Sequence, residues 1–157
     1  MTVAEKLVAL LKAQGLTCAT AESCTGGGVG SAITAVPGSS AVFAGGVISY
    51  SNEVKRDVLG VSPDILQNVG AVSAETAAQM AMGARKLLRT DLAVSLTGIA
   101  GPDGGSDEKP VGLVWFGLAT KDGVRTEKCI FRGDRAQVRE QAVTHALGML
   151  TVASSVP

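Results

Sequence analysis

Apolar residues recur along this chain with two different periods, and the switches between them divide it into elements. Val3, Leu7, Leu10 and Leu11 lie on one helical stripe, which Gly15 closes as a C-cap. Small and apolar residues then alternate as far as Glu22, predicting a strand. After Gly26, Gly27 and Gly28 the pattern returns to helical spacing at Val29, Ala32, Ile33 and Val36. Pro37-Gly38-Ser39-Ser40 reads as a turn. Residues 42–50, apolar but interrupted by Gly45-Gly46, predict a second strand. Ser51 or Asn52 can cap a short helix through Leu59 that Gly60 ends, and Ser62-Pro63 opens another. Ser73 caps a longer helix reaching about Arg89, with Ala77, Ala81, Ala84 and Leu88 on its inner face.

Residues 92–97 and 111–119 are near-continuous apolar runs, as expected of strands covered on both faces. Between them lies a polar, glycine-rich loop at 98–110, and a loop of that length in a compact domain is usually functional. Lys121-Asp122-Gly123 predicts a hairpin leading into a strand at 125–131. Asp134 and Gln137 form a capping box for a last helix to about Ala153, and the polar end at 154–157 is expected to fray. Strands and helices therefore alternate, and the late hairpin mixes the strand directions. The expectation is the α/β class: a three-layer α/β/α sandwich with a mixed, about five-stranded sheet, in a single domain over residues 1–157.

Composition removes several functions. The chain has 14 basic and 14 acidic residues and only 3% aromatics, so neither a steering field nor a stacking surface for nucleic acid is present. Its longest apolar run, 111–119, is too short to span a bilayer, and Met1 leads into a helical pattern rather than a signal peptide. The three cysteines, Cys18, Cys24 and Cys129, form no C-x-x-C motif and no cluster with histidine. A cytoplasmic protein follows as the expectation, with no metal, no cofactor, and no membrane or nucleic-acid partner.

Candidate chemistry starts at residues 19–30, which read as strand, turn and helix with Ser23 at the strand's carboxyl end. Unpaired N–H groups at a helix N-terminus favour a negative oxygen, and glycines let it approach the backbone. Ser23 at the lip could be a nucleophile or only a helix cap. The stretch is neither a Walker A loop, nor G-x-G-x-x-G, nor G-x-S-x-G.

Lys55 falls in the first turn of its short helix, where a cation opposes the dipole, so it either reaches into solvent or serves as a base. Tyr50, the only tyrosine, could relay a proton or orient a hydroxyl. Both Ser23 and this pair end strands, where α/β sheets bind ligands. A Ser–Lys system would need no histidine, and the only one, His145, sits in a core or flank position of the last helix. Cys24 lacks a histidine partner and is read as a small turn residue lending its N–H to an oxyanion hole. Thr97 could donate a hydroxyl hydrogen bond to substrate. Arg135, at the start of the last helix, either binds an anion such as phosphate or pairs with Asp134 or Glu140.

Five segments, taken together, resemble the CinA C-terminal domain family over nearly the whole chain. They are Ala21-Glu22-Ser23-Cys24-Thr25-Gly26-Gly27, Tyr50-Ser51-Asn52-Glu53, Lys55, Gly98-Ile99-Ala100-Gly101-Pro102-Asp103-Gly104-Gly105 and Gly133-Asp134-Arg135. The family's best characterised activity is hydrolysis of nicotinamide mononucleotide to nicotinate mononucleotide and ammonia. The resemblance implies Ser23 as nucleophile, Lys55 as its base and Tyr50 as assistant, with Thr97 and Arg135 as further site residues. Substrate contacts are then expected from Cys24, Thr25, Gly26 and Gly27, from Thr97 and Gly98, and from Arg135. It also suggests a homo-oligomer acting on a small-molecule nucleotide. Larger relatives carry a preceding pyrophosphatase-like domain, whose activity and metal are not expected here. Gly28 and Arg132 depart from the family pattern of a bulkier residue and a proline, and either could alter the pocket's shape. The other reading of the same residues is a non-catalytic nucleotide-binding module, with Ser23 only capping the helix.

Overall fold

The computed structural model describes residues 1–155, and each helix in it begins and ends where local chemistry allows. Helix α1 (Val3–Gln14) opens on a reciprocal capping box between Thr2 and Glu5 and closes on Gly15 in the left-handed region. Ser51 caps α3 (Asn52–Asp57) and Ser73 caps α5 (Ala74–Leu88), each accepting a backbone N–H three residues on. Asp134 and Gln137 form the expected box at the start of α6 (Arg135–Ser155), bonding each other's N–H at 2.8 and 2.9 Å. Helices α2 (Gly28–Thr34) and α4 (Pro63–Asn68) are shorter.

The strands are β1 (Cys18–Glu22), β2 (Phe43–Ile48), β3 (Leu92–Gly98), β4 (Leu113–Thr120) and β5 (Gly123–Ile130). They form one sheet in the order β2-β1-β3-β4-β5. Its first three strands run parallel, β4 runs antiparallel to β3 and β5 antiparallel to β4, giving the expected mixed sheet. Alternation along the buried strands sorts side chains into two cores. Cys18, Leu92, Val94 and Leu96 pack toward α1, α2 and α6, while Ala19, Ala21 and Ala93 pack with Leu59, Met80 and Ala84 on the other face. Gly117 allows α5 to lie close on the sheet, since a Cβ there would collide with the Ala77 carbonyl. This is the three-layer α/β/α sandwich that the hydrophobic pattern implies.

Differences from the sequence expectation lie at element ends. Helix α3 stops at Asp57 rather than Leu59, because the N–H of Val61 wraps back onto the Lys55 carbonyl at 3.0 Å. Strand β4 begins at Leu113 rather than residue 111, since Gly112 turns through a φ of 95°. Ser154 does not fray: it is buried in α6 and its hydroxyl donates to the Leu150 carbonyl at 2.6 Å. Residues 156–157 of the expected fraying end lie outside the described residues. No helix among the described residues is long and apolar enough to cross a membrane.

Candidate active site

The parallel strands β1, β2 and β3 end at the same edge of the sheet, and their exits carry the polar residues. Ser23 follows β1, and α3, the element after β2, turns Lys55 back over it. Lys55 Nζ lies 3.1 Å from Ser23 Oγ, 2.8 Å from the Ser49 carbonyl and 3.1 Å from the Tyr50 carbonyl. The lysine is 1% exposed, and among the described residues no carboxylate forms an ion pair with it. Burial, the largest cause, lowers its pKa from the ordinary 10.5, and the nearby Cys24 acts in the opposite direction. Lys55 is the fourth residue of a six-residue helix and belongs to its last turn, not the first turn expected, so desolvation rather than the helix end perturbs it.

The turn after Ser23 holds its own anion. Glu22, buried at the end of β1, accepts from the Thr25 hydroxyl at 2.6 Å and from the N–H groups of Val29 and Gly30 at 2.9 and 3.0 Å. The start of α2 is thus occupied by a carboxylate of the chain itself and is closed to a substrate phosphate. Gly26 and Gly27 take φ values of 59° and 105°, which the tight turn demands. The Gly26 N–H is used by the Ser23 carbonyl and the Gly28 N–H by the Thr25 carbonyl. The N–H groups of Cys24 and Thr25 have no acceptor among the described residues. Burial pushes the Cys24 thiol up to about 11, which keeps it protonated at neutral pH.

Ser23 and Lys55 open into a cavity of about 230 Å³ that Cys24, Tyr50, Asn52, Thr97, Gly98 and Arg135 also line, with Ala71, Val72 and Ala100. The expected substrate contacts Thr25, Gly26 and Gly27 are not in its lining. Thr25 is turned under the loop to Glu22, and Gly27 faces the opposite side of the sheet edge, near Ile48. Gly28 packs against Val143 and Arg132 gives its carbonyl to Gln141, so neither departure from the family pattern shapes the cavity wall. Thr97 donates its hydroxyl proton to the Ala71 carbonyl at 2.9 Å, so it meets the cavity as an acceptor, not the donor expected. The Tyr50 hydroxyl bonds neither Lys55 nor Ser23: the residue is 63% exposed and its oxygen accepts from Arg135 at 3.4 Å. Arg135 donates to the Gly101 carbonyl at 2.7 Å and pairs with neither Asp134 nor Glu140.

Three contributors escaped the sequence reading. Asn52 lines the cavity from the first position of α3. Glu22 did leave a signal, a carboxylate ending an apolar strand just before a helix. Arg139 left none: it donates to the carbonyls of Cys24 and Thr25 at 3.1 and 3.2 Å, from more than a hundred residues away. A second suggestive cluster, Cys129, His145 and Glu127, stands apart from the cavity. The Cys129 sulfur is 3.8 and 3.7 Å from the two ring nitrogens, nearly equidistant, so it lies against the ring and not in line with a nitrogen lone pair. Its thiol pKa is raised by burial and then by Glu127, which suits packing and not nucleophilic attack.

Residues 1–153 match the CinA C-terminal domain. The chain belongs to this family. Nicotinamide-nucleotide amidohydrolase PncC of Escherichia coli strain K12 is 51% identical over 152 residues, covering 96% of this chain and 92% of that one. A Halothermothrix orenii protein named for competence-damage induction is 60% identical over 131 residues, 83% of this chain, and the chain spans about a third (32%) of its length. The crystal structure of the competence/damage inducible protein CihA from Agrobacterium tumefaciens superposes with a TM-score of 0.94 at 44% identity, covering 98% of this chain and 94% of that one. CinA-family membership thus extends over all the elements that build the cavity.

Proposed function

We propose that the protein is a nicotinamide-nucleotide amidohydrolase that converts nicotinamide mononucleotide and water to nicotinate mononucleotide and ammonia. The observation that carries this reading is the buried contact between Lys55 Nζ and Ser23 Oγ, read beside the family relationship. Two carbonyls, of Ser49 and Tyr50, take two N–H bonds of the lysine. A neutral amine has only two such protons, so its lone pair is left facing the serine. In that state the contact reverses, and the Ser23 hydroxyl donates to Nζ.

Lys55 accepts the Ser23 proton as Oγ attacks the carboxamide carbon, forming a tetrahedral oxyanion. The N–H of Cys24, which lines the cavity beside Ser23, is the donor available to that oxygen. The Lys55 ammonium then protonates the departing nitrogen, which leaves as ammonia and creates a nicotinoyl ester on Ser23. Water attacks the ester while Lys55 takes its proton and returns one to Ser23, releasing the acid. Arg135 at the cavity wall is the cation placed for the 5′-phosphate. Ammonia release on incubation with the mononucleotide tests the activity, and intact mass after rapid quenching tests for an adduct on Ser23. Binding without ammonia from folded protein would replace this reading with that of a binding module.

A further inference from the structure

We propose that Thr97 determines amide-over-acid specificity: its hydroxyl is fixed as an acceptor beside Ser23 and reads the –NH2 of a carboxamide against the product's carboxylate. The proposal rests on the amidase reading above and adds to it how substrate and product are told apart.

A carbonyl oxygen has no proton to give, so the 2.9 Å bond between Thr97 Oγ1 and the Ala71 carbonyl consumes the threonine's only hydroxyl proton. The oxygen therefore turns lone pairs alone toward the cavity it lines, and at 1% exposure no bulk water competes there. Register places it. Glu22 of β1 is opposite Leu96 of β3, and the Ser23 N–H donates to the Leu96 carbonyl at 3.1 Å. Ser23 and Thr97 are thus the next pair on the same face of parallel strands, which lie about 4.8 Å apart. Lys55 comes from the β2 side of β1 and Thr97 stands on the β3 side, so the serine is flanked by its base and by an acceptor.

A carboxamide bound over Ser23 can give an N–H to Thr97, and once the tetrahedral intermediate forms the lone pair freed on that nitrogen is open to the Lys55 ammonium. After ammonia leaves and the ester is hydrolysed, the same place holds a carboxylate oxygen with only lone pairs. Turning the Thr97 proton toward it would strip the Ala71 carbonyl of its partner, so the acid is held poorly and leaves.

The test compares nicotinamide mononucleotide as substrate with nicotinate mononucleotide as inhibitor, in wild type, Thr97→Val and Thr97→Ser. Wild type is expected to bind the acid several-fold more weakly than the amide. Thr97→Val should lower kcat/KM for the amide roughly 10- to 100-fold while binding the acid as well as wild type or better, and Thr97→Ser should restore the preference. Equal weakening of amide and acid in Thr97→Val would mean the residue only supports the Ala71 loop, and would overturn the proposal. Should Thr97→Val not fold, wild type alone decides: acid bound as tightly as amide overturns it. Absence of ammonia from wild type would overturn the amidase reading itself and Thr97's role with it, whereas ammonia with an unchanged preference in Thr97→Val defeats only the latter.

Discussion

Lys55 Nζ and Ser23 Oγ, 32 residues apart in the chain, meet in a buried hydrogen bond of 3.1 Å. Ser23→Ala and Lys55→Ala are each expected to lower kcat by about 10³-fold or more, and the double variant by little beyond either, because the pair acts as a unit. Steady-state ammonia release checks this, and substantial turnover by Ser23→Ala would replace the acyl-enzyme with direct attack by water. The proposed steps draw their charge from Lys55 and backbone dipoles, so added chelator should leave the rate unchanged.

The direction of the Lys55 shift sets the pH dependence. Its folded pKa lies below the ordinary 10.5, so kcat/KM should rise with pH along a limb centred below that value, as the amine loses its proton. Stability follows the same group. Between the folded and unfolded pKa values the unfolded chain binds the extra proton, so wild type gains stability as pH rises through this window. Lys55→Met lacks the titration and should lack the gain. Denaturation curves of both proteins across that range provide the check, and parallel pH trends would contradict a depressed lysine.

Much of this arrangement could be read from the sequence because its signals are local. The Asp134 and Gln137 box, the Ser51 and Ser73 caps and the glycines after Ser23 each act within a few residues. Polarity inside the cavity could not be read that way. Thr97 became an acceptor because Ala71, 26 residues earlier, supplies a carbonyl, and Tyr50 faces Arg135, 85 residues later. The N–H groups at the α2 entrance were foreseeable as an anion site, but the identity of the anion was not. Glu22 fills it because the end of β1 and the start of α2 pack side by side.

Arg135→Ala should weaken nicotinamide mononucleotide by roughly 10- to 100-fold in kcat/KM while changing the riboside little, since only the former carries a phosphate for the guanidinium. Tyr50→Phe should spare kcat and raise KM modestly, because its hydroxyl contacts Arg135 and not the Ser23–Lys55 pair. Equal losses for nucleotide and riboside in Arg135→Ala would remove this arginine from phosphate recognition.

Arg139→Ala should lower kcat by about tenfold with KM nearly unchanged, because its two bonds fix the carbonyls of the turn that bears the free Cys24 and Thr25 N–H groups. Arg139→Lys should recover part of the loss, as one carbonyl stays within reach of a cation. A KM effect without a kcat effect would show that the turn holds its shape unaided.

Arg135 and Arg139 stand four residues apart at the head of a single 21-residue helix. In the proposed mechanism, phosphate recognition and support of the turn after Ser23 are therefore mounted on one rod, and their spacing is set by helical pitch rather than by loops. Loosening of that first turn by heat, or by removing the Asp134 and Gln137 box, should not produce an enzyme that binds without turning over, or the reverse. Both capacities should fade together, at one temperature.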